Sequence, residues 1–155
     1  MIYLVLKFLH VLGAIVILGT GVGIAFFMVM AHRSGEPGHV ARTAAAVVRA
    51  DALFTATAVV VQPLTGVLLL HQTELSIAEG WLLLSLALYG VAGAFWLPVL
   101  WMQARMRDLA RGAAAAGRPL PQHYHRLYRL WFLFGFPGFG SVLGILWLMI
   151  AKPSF

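Results

Sequence analysis

Lys7 and His10 stand where side-chain chemistry has few alternatives. They belong to Leu6-Lys7-Phe8-Leu9-His10, near the start of an apolar run from Ile2 to Ala31 whose only other ionisable group is the Tyr3 phenol. Residues three apart share a helix face, so the ammonium and the imidazole point the same way. Hydrocarbon tolerates neither without a partner, which makes the pair a candidate site. An imidazole among membrane helices either hydrogen-bonds a carbonyl or a threonine on a neighbouring helix, or ligates a metal. Haem iron is a common guest of a small helical bundle.

The remaining candidates carry less chemistry. His123-Tyr124-His125 spaces two imidazoles by two, which an extended strand but not a helix places on one side, and the segment reads as a solvated loop. Met28, Met30 and His32 offer thioether and imidazole to copper(I), although only Met28 and His32 share a helix face. Arg49 and Asp51 read as residues that settle a helix end. No nucleophile–base pair, paired carboxylates or phosphate loop is present, so a hydrolase would lack its parts. The chain has no Cys, which removes disulfides, thiolate metal sites and iron–sulfur clusters together.

These groups must be positioned by membrane helices. The 155 residues are 61% hydrophobic and 10% charged, with mean hydropathy +0.89, against about a quarter charged in soluble domains. A span takes about 20 apolar residues. The expected fold is all-α, a single integral membrane domain, a four-helix bundle with spans over 2–31, 51–71, 81–102 and 127–151. The first run is too long for a signal peptide and carries Lys7 inside it, so it reads as a retained span. A turn-rich loop, 32–39, leads to an Ala-rich segment, 40–50, expected to form an interfacial helix that runs on into the second span. Pro63 invites a kink there, and Thr55, Gln62 and Gly66 fall near one face, expected to look inward. His71, nine residues beyond Gln62, falls on the opposite side of an ideal helix. Glu74 and Glu79 mark the next connection, Trp81, Trp96 and Trp101 read as interfacial anchors, and 103–126 reads as a basic loop. Gly19/Gly23 and Gly140/Gly144 have the Gly-x-x-x-Gly spacing of close helix contacts, within one bundle or in a homodimer.

The net charge of +6 sits at span ends, where membrane orientation explains it better than nucleic acid does. Nine arginines fall in the first and third connections, while Lys7 and Lys152 alone mark the other side. By the positive-inside rule both termini face away from the cytoplasm. His10, at 1.5 Å per residue, then lies roughly 12 Å below the outer surface. His71 lies at that surface as a second candidate ligand, and Lys7 and Lys152 are candidate partners for haem propionates.

Leu6-Lys7-Phe8-Leu9-His10, Arg49-Ala50-Asp51, Trp96-Leu97-Pro98 and Met149-Ile150-Ala151-Lys152-Pro153 resemble the four-span bacterial membrane family numbered 2269 among the domains of unknown function, over nearly the whole chain. The Lys-x-x-His opening, Pro63-x-x-Gly66 and Lys152-Pro153 are also similar, more distantly, to the small membrane protoporphyrinogen oxidases that carry b-type haem, and to the copper-resistance D membrane proteins. That oxidase resemblance implies a His and a Lys in the third span, where this chain has Trp81-Leu82-Leu83-Leu84-Ser85-Leu86. The expected function is therefore b-type haem (iron) binding in the outer half of a bacterial inner-membrane bundle, with His10 and His71 as ligands. Electron transfer or related redox chemistry would follow, with a quinone or a soluble electron donor as partner. The alternatives are a porphyrin-modifying enzyme, or a copper-transport or structural membrane subunit.

Overall fold

A computed structural model of the chain describes residues 1–73 and 75–154. Glu74, one of the two acids expected in the second connection, lies outside them. Four long helical rods, each long and apolar enough to cross a membrane, make up the fold: Ile2–Ser34, Pro37–Thr73, Gly80–Ala115 and Gln122–Ala151. We label them α1 (Ile2–Ser34), α2 (Pro37–Ala50), α3 (Ala56–Thr73), α4 (Gly80–Ala115) and α5 (Gln122–Ala151), with a π-helical segment, Asp51–Thr55, joining α2 to α3 without a break. The integral membrane four-helix bundle expected from composition is the fold observed.

Local chemistry sets the ends. Gly35 adopts φ 67° and returns its amide to the His32 carbonyl, closing α1, and Pro37 opens α2 at a position where no amide is needed. Gly117, at φ 59°, lies just beyond α4, and Pro121 immediately precedes α5. The α2 segment buries Val40, Ala41, Ala44 and Val47 at helical spacing while Arg42 and Arg49 stay exposed, the amphipathic pattern of a helix lying against a bundle.

Three boundaries differ from the sequence expectation. The segment 103–115 is helix, not loop, so α4 has 36 residues and is about 54 Å long. It leaves a hydrocarbon layer of about 30 Å by several turns. Ala, Leu, Met and Arg all favour helix, and Gln103, Met106 and Ala110 are buried on the extension's inner face. The α5 helix likewise starts at Gln122, which places His123, Tyr124 and His125 on a helix. Finally, Arg49 and Asp51 end nothing, because the helix continues through the π segment.

The two ends of the bundle are packed unequally. At the end nearer the α1–α2 and α4–α5 connections, hereafter the basic end, one continuous core gathers Met28 and Ala31 of α1, Val40 and Ala44 of α2, and Met102 and Met106 of α4. Tyr124 and Trp131 of α5 complete it. At the end nearer the chain termini, the terminal end, the buried cluster is only Trp81, Leu82 and Leu148, with Leu70 packed against it. There α1 packs on α3 and α4 packs on α5, while α3 and α4 share little beyond the Leu70 contact and the hydrogen bond from the Tyr89 hydroxyl to the Val59 carbonyl.

Candidate functional site

His10 meets α3 through a set of defined hydrogen bonds. Its Nδ1 lies 2.8 Å from the Thr65 hydroxyl, which itself donates to the Val61 carbonyl at 2.8 Å and reaches the Gln62 carbonyl at 3.1 Å. A hydroxyl has one proton to give. Given to the backbone of α3, it leaves Thr65 to accept from His10, the tautomer with the ring hydrogen on Nδ1 and the lone pair on Nε2; given to Nδ1, it selects the other tautomer. The Gln62 amide donates to the His10 carbonyl at 2.9 Å, tying the backbone of the same residue. Two glycines let the helices come this close. A Cβ on Gly13 would stand 3.1 Å from Gln62 Nε2, and one on Gly66 would stand 3.5 Å from His10 Cε1.

The other expected ligands are placed but not assembled around His10. His71 is exposed on α3, six residues past Thr65, in keeping with its expected position on the far side from Gln62. Lys7 is exposed, with its ammonium 5.8 Å from the Tyr3 ring on its own helix. Lys152, in the left-handed region at φ 42°, sets its ammonium 5.6 Å from the ring of Trp81. Both lysines stand at the terminal end, where the sequence places them.

A second polar constellation was read past at the sequence level. Asp51, the first residue of the π segment, is 3% exposed, and Thr55, Gln103 and Trp96 stand around its carboxyl. Gln103 and Trp96 are seven apart on α4, two turns along one face. Thr55 Oγ1, Trp96 Nε1 and Gln103 Oε1 are all buried and make no direct hydrogen bond. Trp96 therefore turns its indole N–H inward rather than anchoring at the membrane surface. Trp81 is buried as well, so of the three expected anchors Trp101 alone is exposed.

The family model described as a predicted integral membrane protein, DUF2269, matches residues 4–153. The chain belongs to this family. No curated protein and no solved structure matches it. In this DUF2269 member two of the three copper candidates are otherwise engaged, and the third, Met30, is exposed. Met28 is fully buried in the core, and the His32 ring stacks on Tyr128 at a centroid distance of 3.5 Å with Nδ1 3.3 Å from the Tyr124 hydroxyl. His125 meets His32 edge-on and His123 is exposed, while Tyr124 between them is completely buried; that tyrosine is core, not solvated loop. Among the described residues, no three His, Asp or Glu side chains converge to hold a bare metal ion.

Those observations bear on haem. A porphyrin brings four nitrogens of its own and asks the protein for one or two axial ligands, so a lone imidazole suits it in the tautomer that protonates Nδ1 and leaves Nε2 free. A hydrogen bond from the distal ring nitrogen to a hydroxyl or carbonyl is the usual device that orients a metal-binding histidine. Thr65 supplies that bond here. The residues therefore fit one axial ligand, with no second histidine from this chain beside it.

Proposed function

We propose that this chain holds b-type haem in the terminal half of its bundle, with His10 Nε2 as the axial ligand, and works in redox chemistry at the membrane. The observation that carries the proposal is the contact of His10 Nδ1 with the Thr65 hydroxyl, itself within hydrogen-bonding distance of the Val61 carbonyl; a ring hydrogen on Nδ1 would leave Nε2 for a metal. Bound there, haem supplies a one-electron centre whose potential follows its axial ligand and surroundings. Thr65 orients the ring and Gln62 holds the His10 backbone. Lys7 and Lys152 offer cations to the propionate carboxylates. The reading includes a bacterial plasma membrane and, from the distribution of arginine, termini outside the cytoplasm. A quinone in the bilayer or a soluble donor at the outer face would exchange the electron. With His71 exposed and turned away from the His10 face, His10 alone of this chain's histidines would hold the group.

The porphyrin-modifying alternative gains nothing from the start of α4. Trp81 and Leu82 are packed in the small core there, and the Ser85 hydroxyl is spent on the Trp81 carbonyl at 2.7 Å.

The test is the absorption spectrum of full-length protein purified from haem-replete cells. A Soret band with sharp α and β bands on reduction, lost in His10→Ala and kept in His71→Ala, is the expected result. A colourless wild type, or a His10→Ala protein with an unchanged spectrum, overturns the proposal and leaves His10 as a purely structural tie between α1 and α3.

A further inference from the structure

Asp51 is the one carboxyl buried among the described residues, and nothing proposed above uses it. It is also without a cation. The ion pairs among the described residues are Arg42 with Glu36 and Arg107 with Asp108, all far along the chain from it. Arg49, two residues before it, is exposed and donates to the Ala45 carbonyl. The elements packed on the π segment offer no other charge at this level. α1 has no titratable side chain between His10 and His32 and α3 has none before His71; α4, which brings Gln103 and Trp96 to the carboxyl, has none between Tyr89 and Arg105, and Arg105 is exposed. A lone carboxylate in so dry a place is unfavourable, and intramembrane carboxyls of this kind characteristically mark proton or ion paths.

The local backbone is built to put it there. A π turn inserts one residue into an α-helix and is frequently found at functional positions. In this segment the Ala56 amide reaches back to the Asp51 carbonyl, and both Asp51 and Thr55 are turned inward. The orphaned atoms around the carboxyl complement one another. Trp96 Nε1 can only donate, Gln103 Oε1 can only accept, and the Thr55 hydroxyl can do both. Three such orphaned buried atoms about one carboxyl are what an internal water bridges, since buried waters typically make about three hydrogen bonds to otherwise unpartnered groups. A groove of about 440 Å³ between α1 and α2, with Thr20 and Thr43 in its wall, ends at Ala50, the residue before Asp51.

We propose that Asp51, Thr55, Trp96 and Gln103 form a hydrated proton-binding site inside the bundle, which takes a proton from water and returns it. On uptake a hydronium O–H bond breaks, an O–H bond forms on the Asp51 carboxylate, and neutral water is left behind; release is the reverse, with no other reactant. Trp96 donates to the bridging water, and Gln103 Oε1 accepts from it. The site is separate from His10 and does not rest on haem binding.

Infrared difference spectra of the full chain in lipid nanodiscs, recorded between alkaline and acidic pH, test this. A carbonyl stretch of a protonated carboxyl should grow on acidification, shift down in heavy water and be lost in Asp51→Asn. Trp96→Phe, which keeps the carboxyl, should move both the band and its titration midpoint. A band absent from wild type, constant at every pH, or retained in Asp51→Asn overturns the proposal. Where Asp51→Asn does not assemble, an unshifted band in Trp96→Phe does so. A band that responds to sodium at fixed pH replaces the proton with a cation and overturns it as well. A Soret band retained in Asp51→Asn shows that the two sites are distinct.

Discussion

The basic and terminal halves of this bundle use the same kind of helix for opposite ends. At the basic end four helices converge on one core in which Met28, Met106 and Tyr124 are fully buried. At the terminal end two helix pairs stand side by side, and what joins α1 to α3 is polar: His10, Thr65 and Gln62. In lipid, where apolar surface has no water to escape, helices are held by close packing and by hydrogen bonds between them. The basic half relies on the first and the terminal half on the second. A half held by a few polar ties can open for a flat ligand without dismantling a core.

The largest effect that sharpens this contrast is expected from Met28→Ala. The side chain is fully buried, and its removal leaves a cavity; the loss should be about 2 kcal/mol, the low end for buried Met truncations, because the transfer from water is missing in a bilayer. Unfolding of purified protein by denaturing detergent measures it. The equivalent truncation at an exposed terminal-end position, Leu4→Ala, should cost nothing measurable. Equal losses at the two positions would erase the distinction between the halves.

Gly13→Ala comes next, since it attacks the polar tie without removing any polar group. The new Cβ would meet Gln62 Nε2 at 3.1 Å and Cδ at 3.3 Å, and Gln62 cannot retreat without giving up the His10 carbonyl. Overpacking of this kind costs about 1–3 kcal/mol. In Gly13→Ala/Gln62→Ala the clash is gone, so the added cost of the alanine should vanish on the Gln62→Ala background.

Thr65→Val keeps the shape and removes the acceptor for His10 Nδ1. A membrane hydrogen bond between helices contributes about 0.6 kcal/mol on average, and a double-mutant cycle with His10→Ala should return a coupling of that size. If His10 also holds iron, the same valine should weaken haem binding by about 10–100-fold, as losses of such supporting bonds do. A coupling without any spectral change would reduce the triad to a structural lock.

Much of the architecture is legible in the sequence. Four spans, the helix that runs on into the second span and the inward set Thr55, Gln62 and Gly66 follow from apolar run lengths and helical periodicity. The tie between His10 and Thr65 was legible as a possibility, because an imidazole in hydrocarbon needs a partner, but the choice of partner depends on helix pairing that no local pattern encodes. Asp51 was misread for a related reason. Next to Arg49 and close to the apolar boundary it has the signature of a helix end, and only the uninterrupted rod Pro37–Thr73 and the placement of Gln103 and Trp96 turn it inward. The segment 103–115 was mistaken for loop because its charges outweighed its helix propensity, although the buried positions Gln103, Met106 and Ala110 already share a face three and four apart.

The smallest expected effect separates the glycines of the two Gly-x-x-x-Gly stripes. A Cβ on Gly144 would stand 3.0 Å from Leu88 Cδ1, whereas Gly19, Gly23 and Gly140 have nothing within 4 Å. Leu88 Cδ1 is the far end of a flexible side chain, so Gly144→Ala should cost a few tenths of a kcal/mol after the leucine turns, offset in part by the better helix propensity of alanine over glycine, up to about 1 kcal/mol. Gly140→Ala and Gly19→Ala meet no neighbour within one chain and should be neutral or slightly stabilising by the same propensity. If the alanine at Gly19 or Gly140 instead lowers stability or changes the size of the particle in mild detergent, those open stripes are covered by a second copy.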